Sequence, residues 1–299
     1  MAFYCIIPPG DGHKLLQEAA NAQGLEFCAL HPDDFDFVHR PTLGRGDMLY
    51  RAIATSESPN SRLIEELLLN EQVATFYRSY ETALAHIDSP ACHVTHYKND
   101  VPVPRRVWPL TRQRQRLREY VDYVGGLPVV LKVIGHSRGI GVMKVTTLES
   151  LFSLVDYLVL SGAQAILQEY IDVGKPAHSE RAIVLGDKVV SAYSLVQSDP
   201  EEFRSNIGSE RKGRTPLQLT PEEEAIMVRA VHLLGVELGA VDFVRRQHQE
   251  NDIVIFEVNF PFNFTGPVKW LNDTIHCKMV NYLWTKATMP QPAHLTLSV

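Results

Sequence analysis

The chain has 299 residues, 45% hydrophobic and 21% charged, the balance of a soluble globular protein with room for about two domains or one multi-lobed enzyme. A formal net charge of -6 argues against a general nucleic-acid binder, and no apolar run reaches the ~18 residues that a bilayer crossing needs. The opening seven residues carry neither a basic flank nor a long hydrophobic segment, so a cytoplasmic location is expected. Cys5, Cys28, Cys92 and Cys277 are scattered without a Cys-x-x-Cys pair, which speaks against structural zinc and against a disulfide framework.

Residues 3–7 are a short apolar strand and 8–12 (Pro-Pro-Gly-Asp-Gly) a turn, while Leu15, Leu16 and Ala19 fall at helical spacing over 13–22. Gly24 can stop that helix, and 25–30 and 47–52 read as further strands. Leu63, Ile64, Leu67 and Leu68 mark a helix over 61–70, followed by an expected strand at 73–77. This alternation predicts a small open α/β domain over residues 1–88, ended by the proline-rich stretch 90–109. Residues 105–118 then carry Arg105, Arg106, Arg112, Arg114, Arg116 and Arg118. The leading expectation is a solvated helix with Leu117, Val121 and Val124 inward and Arg112 and Arg116 facing water; the other is a contact surface for an acidic partner.

A strand over 129–134 runs into Gly135-His-Ser-Arg-Gly-Ile-Gly141 and then into a second strand, 142–145. Glycine accepts conformations that turn successive backbone N–H groups toward an anion, so this loop can close over phosphates. It is neither a Walker A loop, which continues Gly-Lys-Ser/Thr into a helix, nor a complete dinucleotide fingerprint. Thr147 caps a helix over 148–160 that Gly162 follows. Residues 165–171 are another strand, and 181–185 and 188–194 flank Gly186-Asp187 as a tight hairpin. The stretch 203–214 is polar, basic and glycine-containing, as suits a loop that meets anions, and Thr220, Pro221 and three glutamates open a helix that Gly235 can end.

The last hairpin holds the clearest chemistry. Val254, Phe256 and Val258 alternate with Ile255, Glu257 and Asn259, so period two places Glu257 and Asn259 on one face and the apolar set on the other. Asp242 lies on a preceding apolar strand, and the polar residues 246–252 can turn one strand back on the other. Asp242, Glu257 and Asn259 would then converge as oxygen ligands for a hard cation such as Mg²⁺.

Taken together, Val130-Leu-Lys132, Ser137-Arg-Gly-Ile-Gly-Val142, Leu167-Gln-Glu-Tyr-Ile171, Gly186-Asp-Lys-Val-Val190, Phe203-Arg-Ser-Asn206, Leu219-Thr-Pro-Glu222, Gly239-Ala-Val-Asp242 and Glu257-Val-Asn259 resemble, in order and spacing, the ATP-grasp ligases of the RimK type. The resemblance spans about residues 125–260. It implies an α/β protein with α+β lobes: a small N-terminal open α/β domain (1–88), a central lid lobe (89–164) and a C-terminal catalytic lobe with the metal site (165–299). It further implies that Lys132 contacts ATP phosphates, that Ser137, Arg138, Gly139, Ile140 and Gly141 cover them, and that Gln168, Glu169, Tyr170 and Ile171 hold the adenine and ribose, largely through backbone groups. Arg204 and Asn206 would sit beside the transferred phosphate. Asp242, Glu257 and Asn259 would hold two Mg²⁺ ions, with Mn²⁺ as the alternative.

The implied activity is ATP-dependent joining of a carboxylate to an amine through an acyl phosphate. The alternatives are a peptide-modifying ligase making side-chain amides or esters, and a nucleotide-binding protein without ligation. The implied partners are a carboxylate substrate and an amine acceptor, as small molecule, peptide or protein tail, with no membrane and no nucleic acid; a homo-oligomer follows by analogy only. The chain departs from the family pattern in three places. Only Glu180, with Arg181, stands where an acidic residue often precedes the corresponding arginine; the Asp-Lys pair at the start of the central lobe is missing near residues 90–98; and Phe260-Pro261-Phe262 replaces a small residue, proline and glycine after Asn259.

Overall fold

The computed structural model describes residues 1–86, 89–135, 139–205, 212–246 and 252–289. In chain order these form β1 (Ala2–Ile6), α1 (Asp11–Ala22), β2 (Glu26–Leu30), β3 (Met48–Arg51), α2 (Pro59–Leu68), α3 (Tyr80–His86), α4 (Ser89–Lys98), β4 (Arg106–Val107) and α5 (Arg114–Tyr123). There follow β5 (Val129–Val133), β6 (Val142–Val145), α6 (Leu148–Leu160), β7 (Ala165–Glu169), β8 (His178–Leu185), β9 (Lys188–Val196) and β10 (Lys212–Pro216). The last elements are α7 (Pro221–His232), β11 (Leu238–Arg245), β12 (Ile253–Asn259), α8 (Thr265–Leu271) and α9 (Ile275–Thr288). The chain divides into two compact units, one of residues 1–78, 237–239 and 260–299, the other of residues 79–236 and 240–259.

The first unit is built on a parallel sheet in the order β2-β1-β3. Parallel pairing requires crossovers, and α1 supplies the one between β1 and β2. Ile6, Leu49, Ile64 and Leu68 bury one sheet face against α2, while Leu16, Ala19 and Ala20 of α1 and Met279, Val280 and Leu283 of α9 are buried as well. The expected strand at 73–77 does not form: Ala74 makes an isolated bridge to Met48 and Tyr77 stands in another, with no ladder joining them. Side-chain oxygens turn that segment instead, Asn70 Oδ1 accepting from the Gln72 N–H at 2.9 Å and Thr75 Oγ1 from the Tyr77 N–H at 3.2 Å, which competes with ladder bonding.

The second unit holds a four-stranded sheet, β4-β7-β5-β6, and a five-stranded sheet, β10-β9-β8-β11-β12. Val129 and Leu131 of β5 join Leu117, Val121, Leu151, Val155 and Leu167 in a core under α5 and α6, so strand alternation turns Val130 and Lys132 to the opposite face. The helix over 148–160 forms with the expected cap, the Thr147 side chain accepting from the Ser150 N–H. Thr220 and Glu223 complete a reciprocal capping box on α7. Past α7, Gly235 stands at φ 74°, and a Cβ there would lie 2.6 Å from the Ser79 carbonyl oxygen, so glycine is required for this close approach.

Helices α3 and α4 and the edge strand β10 were not expected from the sequence. Pro90 suits the first turn of α4, where its missing N–H is no loss. The arginine stretch is divided: Arg105 and Arg106 belong to the β4 segment, while Arg112 and Arg114 both reach Asp156 on α6, and Arg114 and Arg118 lie over the Phe152 ring. Much of its charge is thus engaged within the fold rather than displayed.

Candidate active site

A cavity of about 160 Å³ lies between the two sheets of the second unit. From the four-stranded sheet come Arg106, Val130, Lys132, Gln168 and Glu169; from the other, Ser179, Arg181, Asp242, Val244, Phe256 and Glu257. Asp242 and Glu257 stand directly opposite one another on antiparallel strands, and Ala240 opposite Asn259. The residues on which the metal expectation rests are therefore brought together, with Asn259 Nδ2 donating to Asp242 Oδ2 at 3.1 Å.

Strict alternation fails at one place in β12. The pairing register shifts between Asp242 and Phe243, which leaves Phe256 as an extra residue on β12, and Phe256 and Glu257 both line the cavity. A bulge redirects a side chain in this way, which corrects the assignment of Phe256 to the opposite, apolar face. Phe256 packs with Ile171, Val173, Ala177, Val244 and Val254, giving one end of the cavity an apolar floor.

Each carboxylate of the hairpin is coupled to a cation. Lys132 Nζ lies 2.8 Å from Glu257 Oε2, and Arg181 makes a fork on Asp242 through Nε at 2.5 Å and Nη2 at 2.7 Å. Lys132 is the first cause that holds the Glu257 carboxyl down at about 2, with Arg106 and Arg181 adding to it against burial. Burial pushes Asp242 the other way, opposed by Arg181 and reinforced by the neighbouring Glu257 charge. Desolvation works against the Arg181 charge, yet Asp242 outweighs it and the guanidinium pKa is raised.

Arg204 lines the same cavity and is held by a residue that the sequence reading missed. Glu202 accepts from its Nε at 2.8 Å and Nη2 at 2.7 Å, while Nη1 donates to the Gly139 carbonyl at 3.0 Å and the Val142 carbonyl at 3.4 Å. Arg204 therefore ties its own segment to the glycine loop. Gly139, Ile140 and Gly141 are not among the lining residues, and Ile140 is 59% exposed. Ser137, Arg138 and Asn206 lie outside the described residues, as do residues 247–251 of the expected turn.

Gln168, Glu169, Tyr170 and Ile171 all line the cavity. The Glu169 side chain is already engaged, accepting from Arg246 Nη1 at 2.9 Å and from the Arg105 backbone N–H at 3.1 Å. Burial acts to raise its pKa, but these donors bring it below the ordinary carboxylate value. Glu180 is not brought to the site: on β8 it faces the other way from Arg181 and accepts from Arg245 Nη1 at 3.2 Å, and Arg245 also grips Glu223. Alternation along β8 is the reason, and it could have been read from the sequence. Arg106 was also missed, since a lone arginine inside an arginine-rich stretch carries no periodic signal. Among the described residues there is no group of three His, Cys, Asp or Glu side chains placed to hold a metal; the candidate ligands are two carboxylates and an amide.

Residues 88–283 match the RimK-like ATP-grasp domain. A curated protein, the "Probable alpha-L-glutamate ligase 2" of Shewanella sp. (strain W3-18-1), is 38% identical over 142 residues, 47% of this chain and 45% of that protein. The chain thus spans less than half the length of the curated relative it matches. Among solved structures, the ATP-grasp ligase PsnB complexed with minimal precursor superposes with a TM-score of 0.74 at 19% identity, covering 96% of this chain and 99% of that one. The macrocyclase MdnC from Microcystis aeruginosa MRC, bound with precursor peptide MdnA, gives a TM-score of 0.71 at 11% identity over 95% and 100%.

Proposed function

Because the chain belongs to the RimK-like ATP-grasp family and has the ATP-grasp fold, we propose that it is an ADP-forming ligase that joins a carboxylate to an amine. The observation that carries this reading is the pair of cation–carboxylate couples lining the cavity, Lys132 with Glu257 across the two sheets and Arg181 with Asp242 within one of them. A nucleotide triphosphate with its metal brings both signs of charge, so it can take over both halves of such couples. In this reading residues 89–164 form the lid lobe and 165–299 carry the metal site.

The donor set fits Mg²⁺. Asp242, Glu257 and Asn259 offer oxygen only, and Asn259, which uses Nδ2 toward Asp242, has no described donor on its Oδ1. Bound there as two ions, magnesium or manganese would offset phosphate charge and polarise the γ-phosphoryl group. Lys132 would hold phosphate oxygens once separated from Glu257. The apolar floor of Ile171, Val173, Val244 and Phe256 suits a flat base, with the backbone of Gln168 to Ile171 along its edge. Gly139, Ile140 and Gly141, together with Ser137 and Arg138, would close over the phosphates, and Arg204 with Asn206 would face the transferred group. Glu180 is left out of the proposed site.

A substrate carboxylate oxygen attacks the γ-phosphorus, and the bond to the β,γ-bridging oxygen breaks with its electrons leaving on ADP. The amine then attacks the acyl carbon, phosphate departs with the C–O electrons, and the amine nitrogen gives up a proton. Arg204 supplies a planar, permanently charged donor where oxyanion charge develops. Neither the carboxylate nor the amine is named by the residues described. A peptide acceptor, joined through side-chain amide or ester bonds, is a second reading, favoured by the near-complete coverage by structures solved with a minimal precursor and with a precursor peptide. No helix among the described residues is long and apolar enough to cross a membrane, and we retain the cytoplasmic location as part of the proposal.

The test is to incubate the protein with ATP, Mg²⁺, pooled amino acids and peptides, and hydroxylamine as a trap. ADP release that depends on a carboxylate, together with a hydroxamate, is the expected outcome. AMP and pyrophosphate would instead signal an acyl-adenylate and overturn the mechanism.

A further inference from the structure

Arg204 stands in residues 197–205, a stretch between β9 and β10 that belongs to no helix or strand. No ladder or helical bond therefore places its backbone, yet both of its backbone polar groups are taken by side chains. Its N–H donates to Glu202 Oε1 at 3.0 Å, and its carbonyl accepts from Gln197 Nε2 at 2.7 Å.

Gln197 is the point from which this stretch is hung. It is 4% exposed, and its own N–H donates to the Ala177 carbonyl at 2.8 Å, which carries the β8–β9 pairing one residue past His178 and Val196. Its Oε1 accepts from the N–H groups of Ser198 at 2.8 Å and Asp199 at 3.3 Å while Nε2 reaches across to Arg204, so one amide holds both the start and the end of the loop. Asp199 passes the constraint on, its carbonyl accepting from the Glu202 N–H at 3.3 Å. At the far end Ser205 Oγ donates to Ser179 Oγ at 2.6 Å, which fastens the loop to β8. A stretch without ladder bonds keeps its conformational freedom unless side chains remove it, and a charged donor stabilises charge that develops in transfer only when it is held in place beforehand.

Resting on the ligase reading above, we infer that Gln197 is a positioning residue for phosphoryl transfer: its amide fixes the Arg204 backbone to the end of the five-stranded sheet, so that the guanidinium, gripped by Glu202 and by the Gly139 and Val142 carbonyls, meets the transferred group. Gln197 is not among the residues lining the cavity and acts through Arg204 alone.

The test compares Gln197→Met, Arg204→Lys and the double variant of the full chain with wild type. ADP release is measured from ATP and Mg²⁺ with the pooled amino acids, peptides and hydroxylamine, alongside calorimetric titration with ADP. Methionine keeps the length of the side chain without its two hydrogen-bonding groups. Turnover of Q197M should fall about 10-fold or more, with the Michaelis constant for ATP and the affinity for ADP near wild type. In the double variant the loss should stay near the roughly 10²-fold of R204K alone and not reach the roughly 10³-fold of independent effects, because a guanidinium that is absent cannot be misplaced. Additive losses, or ADP affinity falling as far as turnover, would show that Gln197 only holds the loop together and would overturn the proposal, as would wild-type turnover in Q197M. Should Q197M fail to fold, Gln197→Glu decides on the same readouts, since it keeps the acceptor for Ser198 and Asp199 and loses the donor for Arg204. Wild-type protein that released no ADP would defeat the ligase reading itself, an outcome distinct from any of these.

Discussion

Two ion pairs of the same length, 2.8 Å, sit in very different surroundings: Arg51–Glu65 in the first unit, with side chains 5% and 2% exposed, and Lys132–Glu257 in the second, at 22% and 32%. The first is saturated. Glu65 accepts from Arg51 on one oxygen and from the Tyr77 hydroxyl at 2.9 Å on the other, and Arg51 spends Nη1 on the Ile53 carbonyl. Burial there outweighs Arg51 and leaves the Glu65 pKa raised, whereas Lys132 holds Glu257 down at about 2. Glu257 Oε1 has no hydrogen-bond partner among the described residues. A sealed, saturated couple fixes a fold, whereas an open, unsaturated one keeps its charges available for exchange with a ligand.

The comparison breaks most visibly if either couple is cut. Glu257→Gln and Asp242→Asn keep volume but weaken a hard-cation site, and Mg²⁺-dependent turnover should be lost while far-UV circular dichroism and melting stay near wild type. Measurable wild-type turnover in either variant would end the metal assignment. Arg51→Met should do the reverse. Leaving Glu65 buried and unpaired should cost about 3–5 kcal/mol in denaturant unfolding, with turnover per folded molecule unchanged. A stable R51M protein would mean that the sealed couple is not structural.

The sequence disclosed the parts of the site that obey a period or a cap. Asp242, Glu257 and Asn259 were legible because a hairpin of alternating residues brings i and i+2 to one face, and α6 and α7 because Thr147 and Thr220 sit where helices begin. What escaped depends on pairing between distant segments. The bulge at Phe256 is a property of two strands in register, the Glu202 clamp on Arg204 depends on how a loop turns, and Arg106 gains its place from Gln168 and Phe256, 62 and 150 residues away. Val73 to Tyr77 misled for the converse reason: apolar composition suggested a strand, but Asn70 and Thr75 bond to the local backbone.

Arg204 sharpens the comparison on the open side. Its fork on Glu202 and its bonds to the Gly139 and Val142 carbonyls hold it at the cavity before the reaction. Arg204→Lys should lower turnover by roughly 10²-fold with the Michaelis constant for ATP near wild type, as expected of a donor that acts on charge appearing only in transfer. A variant altered in ATP affinity alone would remove it from that role.

The smallest effect is expected on a sealed group probed by protonation rather than substitution. His93 on α4 is 5% exposed, its Nδ1 is buried without a hydrogen-bond partner, and its ring stands edge-on to Trp108 at 5.7 Å. Burial pushes its pKa down to about 3, and the charges of Arg106 and His96 add to this. Because the folded value lies below the ordinary histidine value of about 6.5, protons favour the unfolded chain. Stability is therefore complete above about pH 6.5 and is lost as pH falls toward 3. Glu65, Glu180 and Asp242, whose pKa values are raised, act with the opposite sign, gaining stability as pH falls. Those contributions cancel when two proteins that share them are compared. Urea unfolding of wild type and His93→Phe at pH 7.5 and pH 5 should show that the acid-induced loss is smaller in the variant, by up to about 2 kcal/mol at pH 5. Identical losses would mean that His93 takes up its proton without leaving the fold, and that this part of the interior is open to water after all.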